Sequence, residues 1–289
     1  MTRISCIVPT HARPDLLREA LRAIANQTAL SIVSQVIVVD DLDDPETDLT
    51  VREAVDLGIP VHRIVNTASG ASASRNLGAA HATGDVLAFL DDDDLWDPDY
   101  LRQGIECMTQ ASAEMAVTSL DVLEVTGERV SFRVMPASAN PSDVAARNPG
   151  FTGSNFMVSR DVYLALGGFD DSLPVSNDKD FLVRFLLAGY RYAVNAEGLV
   201  VHRRHNGPQL TNSDDRRALG LERFIEKHYA VLTRRGRRFL RKTIHAIRRR
   251  TATSRFTRAR HTVALLINLS ADDLVSKWKR RHGGFTEAQ

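Results

Sequence analysis

The first hundred residues alternate short apolar runs with amphipathic stretches. Residues 3–8 read as a strand that Pro9 ends. Pro14 then opens a helix, with Leu16, Leu17, Ala20, Leu21 and Ile24 on one stripe at helical spacing. Residues 35–39 predict a second strand, stopped by Asp40 and Asp41, and a helix follows around 48–57. Residues 61–65 predict a third strand, a loop of small residues at 68–72 enters a helix reaching Ala82, and Gly84-Asp85 turn the chain into a fourth strand at 86–90. These strands are continuous apolar runs, which suits burial on both faces. The pattern predicts an α/β fold around a parallel, doubly wound sheet.

After residue 96 the order changes. The spacing predicts a helix over 98–111, antiparallel strands over 115–125 and 129–135 around Thr126-Gly127-Glu128, and a loop over 136–150. A strand at 154–158, a helix near 160–166, a break at Gly167-Gly168 and a helix over 178–188 follow. Residues 213–250 and 253–281 read as basic helices, and there is no internal repeat.

Charge divides the chain further. Residues 215–289 carry 20 Lys and Arg against 6 Asp and Glu, a net of +14, whereas residues 1–214 carry 17 against 30, a net of −13. An acidic body with a basic tail suggests two tasks. Cys6 and Cys107 lack metal-type spacing and read as reduced core residues of a cytosolic protein. The first apolar run is too short for a signal peptide, and no stretch approaches the roughly 20 apolar residues of a membrane span.

The most informative chemistry lies where the fourth strand ends. Asp91, Asp92, Asp93 and Asp94 follow directly on Val86-Leu87-Ala88-Phe89-Leu90. Carboxylates taken out of water repel one another unless a cation or hydrogen bonds compensate. Asp91 and Asp93 are two apart and share a face in extended chain, which suits Mg²⁺, or Mn²⁺ as a borderline case. An acidic, solvated loop tip is the alternative. A calcium loop of EF-hand type fails, because the sixth position is Trp96 and the twelfth is Arg102. In a parallel sheet, ligands bind beyond the strand C-terminal ends. Here those ends carry Pro9-Thr10-His11, Asp40-Asp41, the 66–72 loop and the aspartate run.

Seven motifs occur in order: Ile7-Val8-Pro9-Thr10-His11-Ala12-Arg13-Pro14, Val38-Val39-Asp40-Asp41, Ala73-Ser74-Arg75-Asn76-Leu77-Gly78, Phe89-Leu90-Asp91-Asp92-Asp93-Asp94, Gly167-Gly168-Phe169-Asp170, Asn177-Asp178 and His202-Arg203-Arg204-His205. Over residues 4–211 the chain resembles a family-2 glycosyltransferase of the GT-A fold. The resemblance implies a Rossmann-like, mostly parallel sheet with helices on both faces. It implies a domain over 1–212, with a nucleotide-sugar half to about 95 and an acceptor half after it, followed by a basic helical extension over 213–289. The implied reaction is inverting transfer of a sugar from a nucleotide donor to an acceptor hydroxyl.

Each implied role is open to a chemical check. Asp91 and Asp93 would hold Mn²⁺ or Mg²⁺, with His205 as a further ligand, and Asp92 would face the ribose or the sugar. Asp178 would be the general base, although the family usually has Glu-Asp where this chain has Asn177-Asp178; a helix-terminal acid is the other reading. Asp40 and Asp41 would accept from the nucleobase or ribose, the second being structural in the alternative. Leu42 replaces the usual following Gly, and Asp43-Asp44-Pro45 lengthen that loop. Pro9, Thr10, His11 and Arg13 belong to the nucleotide side. Arg75 would reach the diphosphate or pair with an aspartate, and Arg203 and Arg204 would meet phosphate oxygens. Trp96 and Asn155 would face the acceptor, Trp96 being equally a core anchor. His81 and His202 read as structural.

The donor is expected to be a nucleotide sugar, UDP-linked in first expectation. The acceptor would be a surface polysaccharide or lipid-linked glycan. The basic tail would rest on an anionic membrane, placing a cytoplasmic protein on the inner face of the cell membrane; nucleic acid is not expected. A catalytically inactive sugar-nucleotide-binding scaffold is the alternative in another class. A nucleotidyltransferase is disfavoured, because residues 9–14 contain no Gly.

Overall fold

The computed structural model describes residues 2–68, 70–204 and 215–269. The chain divides into two compact units, Met1–Ser172 with Asn177–Gly207, and Leu173–Ser176 with Pro208–Gln289.

The first unit is built on one nine-stranded sheet, in the order β3-β2-β1-β4-β8-β6-β9-β5 with β7 paired to β6. The N-terminal strands β1 (Ile4–Thr10), β2 (Val33–Asp40), β3 (Val61–Val65) and β4 (Val86–Phe89) are all parallel to one another. Their C-terminal ends therefore emerge along one edge, where Thr10 pairs in register with Asp40. Alternation along β1 divides the core between two faces. Ile4, Cys6 and Val8 pack with Leu17, Ala20, Leu21 and Ile24 of α1 (Pro14–Ala25). Ile7 and Val39 point the other way, against Gly78 of α3 (Ala71–His81). Between them, α2 (Pro45–Asp56) starts on the Asp44 side chain, which accepts from the Glu46 amide.

The second half of the sheet is mixed. β8 (Phe156–Ser159) runs antiparallel to β4 and to β6 (Met115–Leu123), whereas β9 (Tyr192–Arg203) is parallel to β6. The predicted antiparallel pair is β6 with β7 (Arg129–Arg133). Because β8 is antiparallel to β4, the segment entering β8 lies beside the aspartates leaving β4. The helices α4 (Tyr100–Ala111), α6 (Arg160–Ala165) and α7 (Asn177–Leu187) fall where the periodicity puts them. Two strands lie outside the sequence reading: β5 (Asp94–Trp96), three residues long, and β9. The expected loop over 136–150 contains the short helix α5 (Pro141–Ala146), capped by Asn140 with Pro at its first position.

In the second unit the expected long helix over 213–250 is two helices, α8 (Asp215–Lys227) and α9 (Arg234–Thr251). The Thr233 side chain accepts from the Gly236 amide and restarts the helix. Buried Leu240, Ile244 and Ile247 give α9 its inner face, and α10 (Arg255–Ile267) follows. No described helix is long and apolar enough to cross a membrane.

Gly84 shows how closely β4 is seated. A Cβ there would lie 2.6 Å from the Ser5 amide nitrogen and 2.8 Å from the Ile4 carbonyl carbon, both backbone atoms of β1. Gly84→Ala is expected to cost about 1–3 kcal/mol and lower Tm by roughly 2–4 °C per kcal/mol. An unchanged Tm in a thermal melt would contradict this seating.

Candidate active site

The site lies at the C-terminal end of β4. Carboxylate oxygens of Asp91, Asp93 and Asp94 all come within 4.8 Å of one another. Asp92 turns the other way. It accepts from Thr10 Oγ1 at 2.9 Å and from Arg13 Nη1 at 3.1 Å. Arg13 also donates to Asp93 at 3.0 Å, so one guanidinium ties the start of α1 to two of the four carboxylates. Arg75, from α3, donates to Asp91. Its side chain is 5% exposed, and its Nε is buried without a partner.

The segment entering β8 closes this arrangement. The Asp91 amide donates to Ser154 Oγ at 3.0 Å. A Cβ at Gly153 would lie 2.3 Å from Arg75 Nη2 and 3.0 Å from Asp91 Oδ2. Only a glycine lets the backbone approach the Arg75–Asp91 pair so closely. Burial pushes the Asp91 carboxyl up to about 6 against the pull of Arg75, with Asp94 and Asp93 adding to the rise. Burial also raises Asp92, partly offset by Arg13. Arginine therefore only partly relieves the crowding, and an all-oxygen donor set of this kind fits a hard divalent cation.

The cross-strand pair Asp94–His202 between β5 and β9 adds a group that the sequence reading treated as structural. His202 Nδ1 lies 2.8 Å from Asp94 Oδ1, and this hydrogen bond raises the imidazole to about 9. Arg203 donates to the Asp93 carbonyl at 3.2 Å. His205, the expected further ligand, lies outside the described residues. Arg204 is turned to Glu124.

Asp178 begins α7. Asn148 Nδ2 donates to its Oδ2 at 3.1 Å, and burial raises its pKa against the Lys179 backbone, Lys179, Arg75 and Asn148. The same burial lowers Lys179 to about 8. Arg75 thus acts electrostatically on both Asp91 and Asp178. The neighbouring residues fix these positions. Asn76 holds Phe169 through N–H and carbonyl alike, at 2.9 and 2.8 Å, and accepts from Tyr163 Oη at 2.7 Å. Asn177, standing where the family usually has Glu, donates to Ser72 Oγ of α3.

Among the residues expected to face the nucleotide, His11 Nδ1 meets Asp41 Oδ1 at 2.6 Å, with the imidazole largely exposed. Pro9 is buried within β1 opposite Val39. Asp40 presents no oxygen outward. Its side chain is fully buried, accepting from the amides of Leu42 and Asp44 at 3.1 and 2.9 Å and from Arg63 at 2.8 Å. Its geometry is that of a loop-holding residue.

The two acceptor-side expectations also meet interior geometry. Trp96 is 3% exposed, stacks on Tyr100 at 4.3 Å between ring centroids and donates to the Ser154 carbonyl. Of the two readings left open for it, the structure shows the core anchor. Asn155 is 1% exposed, with Nδ2 donating to the Thr118 and Gly150 carbonyls and Oδ1 accepting from Thr152. It organises the turn into β8 and has no hydrogen-bonding group left for an acceptor. Arg75 pairs with an aspartate, one of its two expected roles.

Residues 5–167 match the model of the family described as Glycosyl transferase family 2. The chain belongs to this family. An uncharacterized glycosyltransferase of Haemophilus influenzae is 24% identical over 245 residues, covering 82% of this chain and 80% of that one. Among solved structures, S. aureus TarS 1-349 in complex with UDP-GlcNAc superposes with a TM-score of 0.62 at 13% identity, covering 99% of this chain and 93% of that one. The mannosyltransferase PcManGT from Pyrobaculum calidifontis, in complex with GDP-Man and Mn2+, gives 0.60 at 18%, covering 97% and 84%. At these identities the likeness is one of fold, and the fold of this glycosyltransferase is GT-A.

Sequence reasoning placed Asp94 in the aspartate run without a ligand role, read His202 as structural, and did not single out Asn148 or Ser154. The Asp94–His202 pair had one available signal, the membership of each in a motif already singled out. Asn148 lay in a stretch read as loop.

Asp178 is expected to titrate above the ordinary aspartate value of about 3.9. Its Asn148 hydrogen bond favours the ionised form, so Asn148→Ala should raise it further. Carboxyl ¹³C NMR titration reads both values. A Asp178 pKa at or below the ordinary value would contradict the described burial.

Proposed function

We propose that this glycosyltransferase moves a sugar from a nucleotide-sugar donor to an acceptor hydroxyl with inversion, in a divalent-metal-dependent reaction. The observation that carries the reading is the clustering of Asp91, Asp93 and Asp94 around one point at the sheet edge, with Arg75 acting on both Asp91 and Asp178. The nucleotide sugars bound to TarS and PcManGT, and the Mn2+ of the latter, support a donor of that class and a divalent metal.

Asp91 and Asp93 would hold the cation, with Asp94 close enough to contribute an oxygen or orient the others. A divalent cation bound there supplies Lewis-acid neutralisation of the charge that builds on a departing diphosphate. The remaining work falls to side chains. Exposed His11 and half-buried Asp41 form a polar pair beyond β1 and β2, suited to the nucleoside. Arg75 adds positive charge near the diphosphate position. Asp178 is the general base: burial raises its pKa, which makes its carboxylate a stronger proton acceptor than that of an ordinary aspartate. It takes the proton of the acceptor hydroxyl as that oxygen forms the new bond to the anomeric carbon and the bond to the diphosphate breaks. Asn148 positions this carboxylate. The acceptor is proposed as a hydroxyl of a surface polysaccharide or lipid-linked glycan, a reading that family membership supports.

Calorimetric titration of UDP-, GDP- and dTDP-sugars with and without Mn²⁺ tests the donor site. One donor should bind in a metal-dependent way to the wild type and lose that dependence in Asp93→Ala. Asp178→Asn should keep donor binding while turnover falls by about 10²–10⁴. Turnover retained in Asp178→Asn would remove it as the base, and donor binding indifferent to metal and to Asp93 would remove the metal assignment.

A further inference from the structure

The second unit is strongly cationic: residues 215–269 carry 16 Lys and Arg against 3 Asp and Glu, a net of +13. Part of this charge is gathered at one place. Arg234, Arg237, Arg238 and Arg241 recur at helical spacing along α9 and line a cavity of about 320 Å³, completed by Tyr229 and Asn268. No acidic side chain lines it. The Arg237 guanidinium lies 4.3 Å from the Tyr229 ring centroid and donates to the Tyr229 carbonyl at 2.9 Å. Arg238 donates to the Ile267 carbonyl at 3.1 Å. These acceptors are neutral, so they hold the two guanidinium groups without cancelling their charge. Arg234 and Arg241 are exposed, with no acidic partner among the described residues.

A second feature runs up to the same cavity. The helix α10 buries no residue fully, and Phe256, Val263, Leu266 and Ile267 are 81%, 57%, 57% and 70% exposed. Phe256, Arg260, Val263 and Ile267 follow at i, i+4, i+7 and i+11, which places them on one helix face. The stripe ends at Ile267, whose carbonyl Arg238 holds, one residue before Asn268 in the cavity wall.

We propose that this surface docks on an anionic phospholipid bilayer, with lipid phosphates over the four arginines and the α10 stripe lowered into the boundary between headgroups and acyl chains. A helix that lies in an interface needs an apolar face together with cationic residues, and both are present. Arg260, on the apolar face, can extend its stem along the acyl boundary and keep its charge at the headgroups. A second copy of this chain fits poorly, because it would bring two units of net charge +13 together. Nucleic acid would supply phosphates but no apolar phase for Phe256, Val263 and Ile267. The inference rests on the second unit alone and holds whichever donor the first unit uses.

Co-sedimentation of the full chain with two kinds of vesicle tests it, one of phosphatidylcholine and one of phosphatidylcholine mixed with phosphatidylglycerol. The wild type should bind the anionic vesicles at least about tenfold more tightly. Arg234→Gln with Arg241→Gln should weaken that binding by about thirtyfold, and Phe256→Ser with Ile267→Ser by about tenfold. All four side chains are exposed, so the variants should fold. Equal binding to both vesicles would overturn the proposal, as would wild-type affinity in both double variants. Duplex DNA bound as tightly as the anionic vesicles, and equally well by the Phe256/Ile267 variant, would overturn it in favour of a nucleic-acid surface. A wild-type dimer that this variant dissociates without any loss of vesicle binding would overturn it in favour of self-association.

Discussion

Crowded negative charge at the end of β4 is the constraint around which the first unit is arranged. Four consecutive aspartates leave a strand whose own residues are wholly buried. Taking a carboxylate out of water costs several kcal/mol unless something compensates. The fold brings compensation from three directions: Arg13 from the start of α1, Arg75 from α3 and His202 from β9, while Ser154, in the segment entering β8, accepts from the Asp91 amide and fixes the backbone there. Each depends on a topological choice. The parallel order β2-β1-β4 places the start of α1 beside Asp92, and the reversal of β8 places Gly153 and Ser154 beside Asp91. The carboxylates are still not neutralised, since Asp91 remains raised to about 6 beside an arginine. In the proposed reading, a cation bound by these carboxylates completes the compensation.

That residual charge connects the fold to its chemistry. Arg75 lies at the centre, paired with Asp91 and acting on Asp178, with Gly153 packed against its guanidinium. The neighbouring Asn76 fastens Phe169, and Asn177 reaches Ser72, so the start of α7 is held to α3. Asp178 is therefore fixed relative to the cluster by side chains of two adjoining motifs. A family member carrying Asn in place of Glu before this aspartate keeps the position by hydrogen bonding.

Much of this was legible in the chain itself. The continuous apolar runs identify β1, β2 and β4, whereas β3, with His62 and Arg63 inside it, is a partly exposed edge strand; the polar residues at the strand ends locate the edge of the candidate site. The less legible parts have physical reasons. β5 is too short for a period, and β9 includes Gly198 and a polar stretch, so neither alternates cleanly. Pairing of these two strands is what brings His202 to Asp94, and a contact between residues 108 apart leaves no local signature. Trp96 and Asn155 lie close to the site in sequence, yet their polar atoms are used within the interior. The helix α5 had a signal in Asn140-Pro141, a cap followed by proline, inside a stretch whose composition reads as loop. The basic tail showed its charge in sequence, whereas the exposed stripe of α10 and the arginine-lined cavity emerged only from the helix packing.

Asp91, Asp93 and Asp94 are proposed to form a preformed divalent-cation site. The most direct measurement is electron paramagnetic resonance of Mn²⁺ titrated into the protein without any donor, for the wild type and for Asp91→Asn. A single class of bound Mn²⁺ in the wild type, lost or greatly weakened in Asp91→Asn, is the predicted result. Mn²⁺ bound equally by both proteins, or by neither, would contradict it.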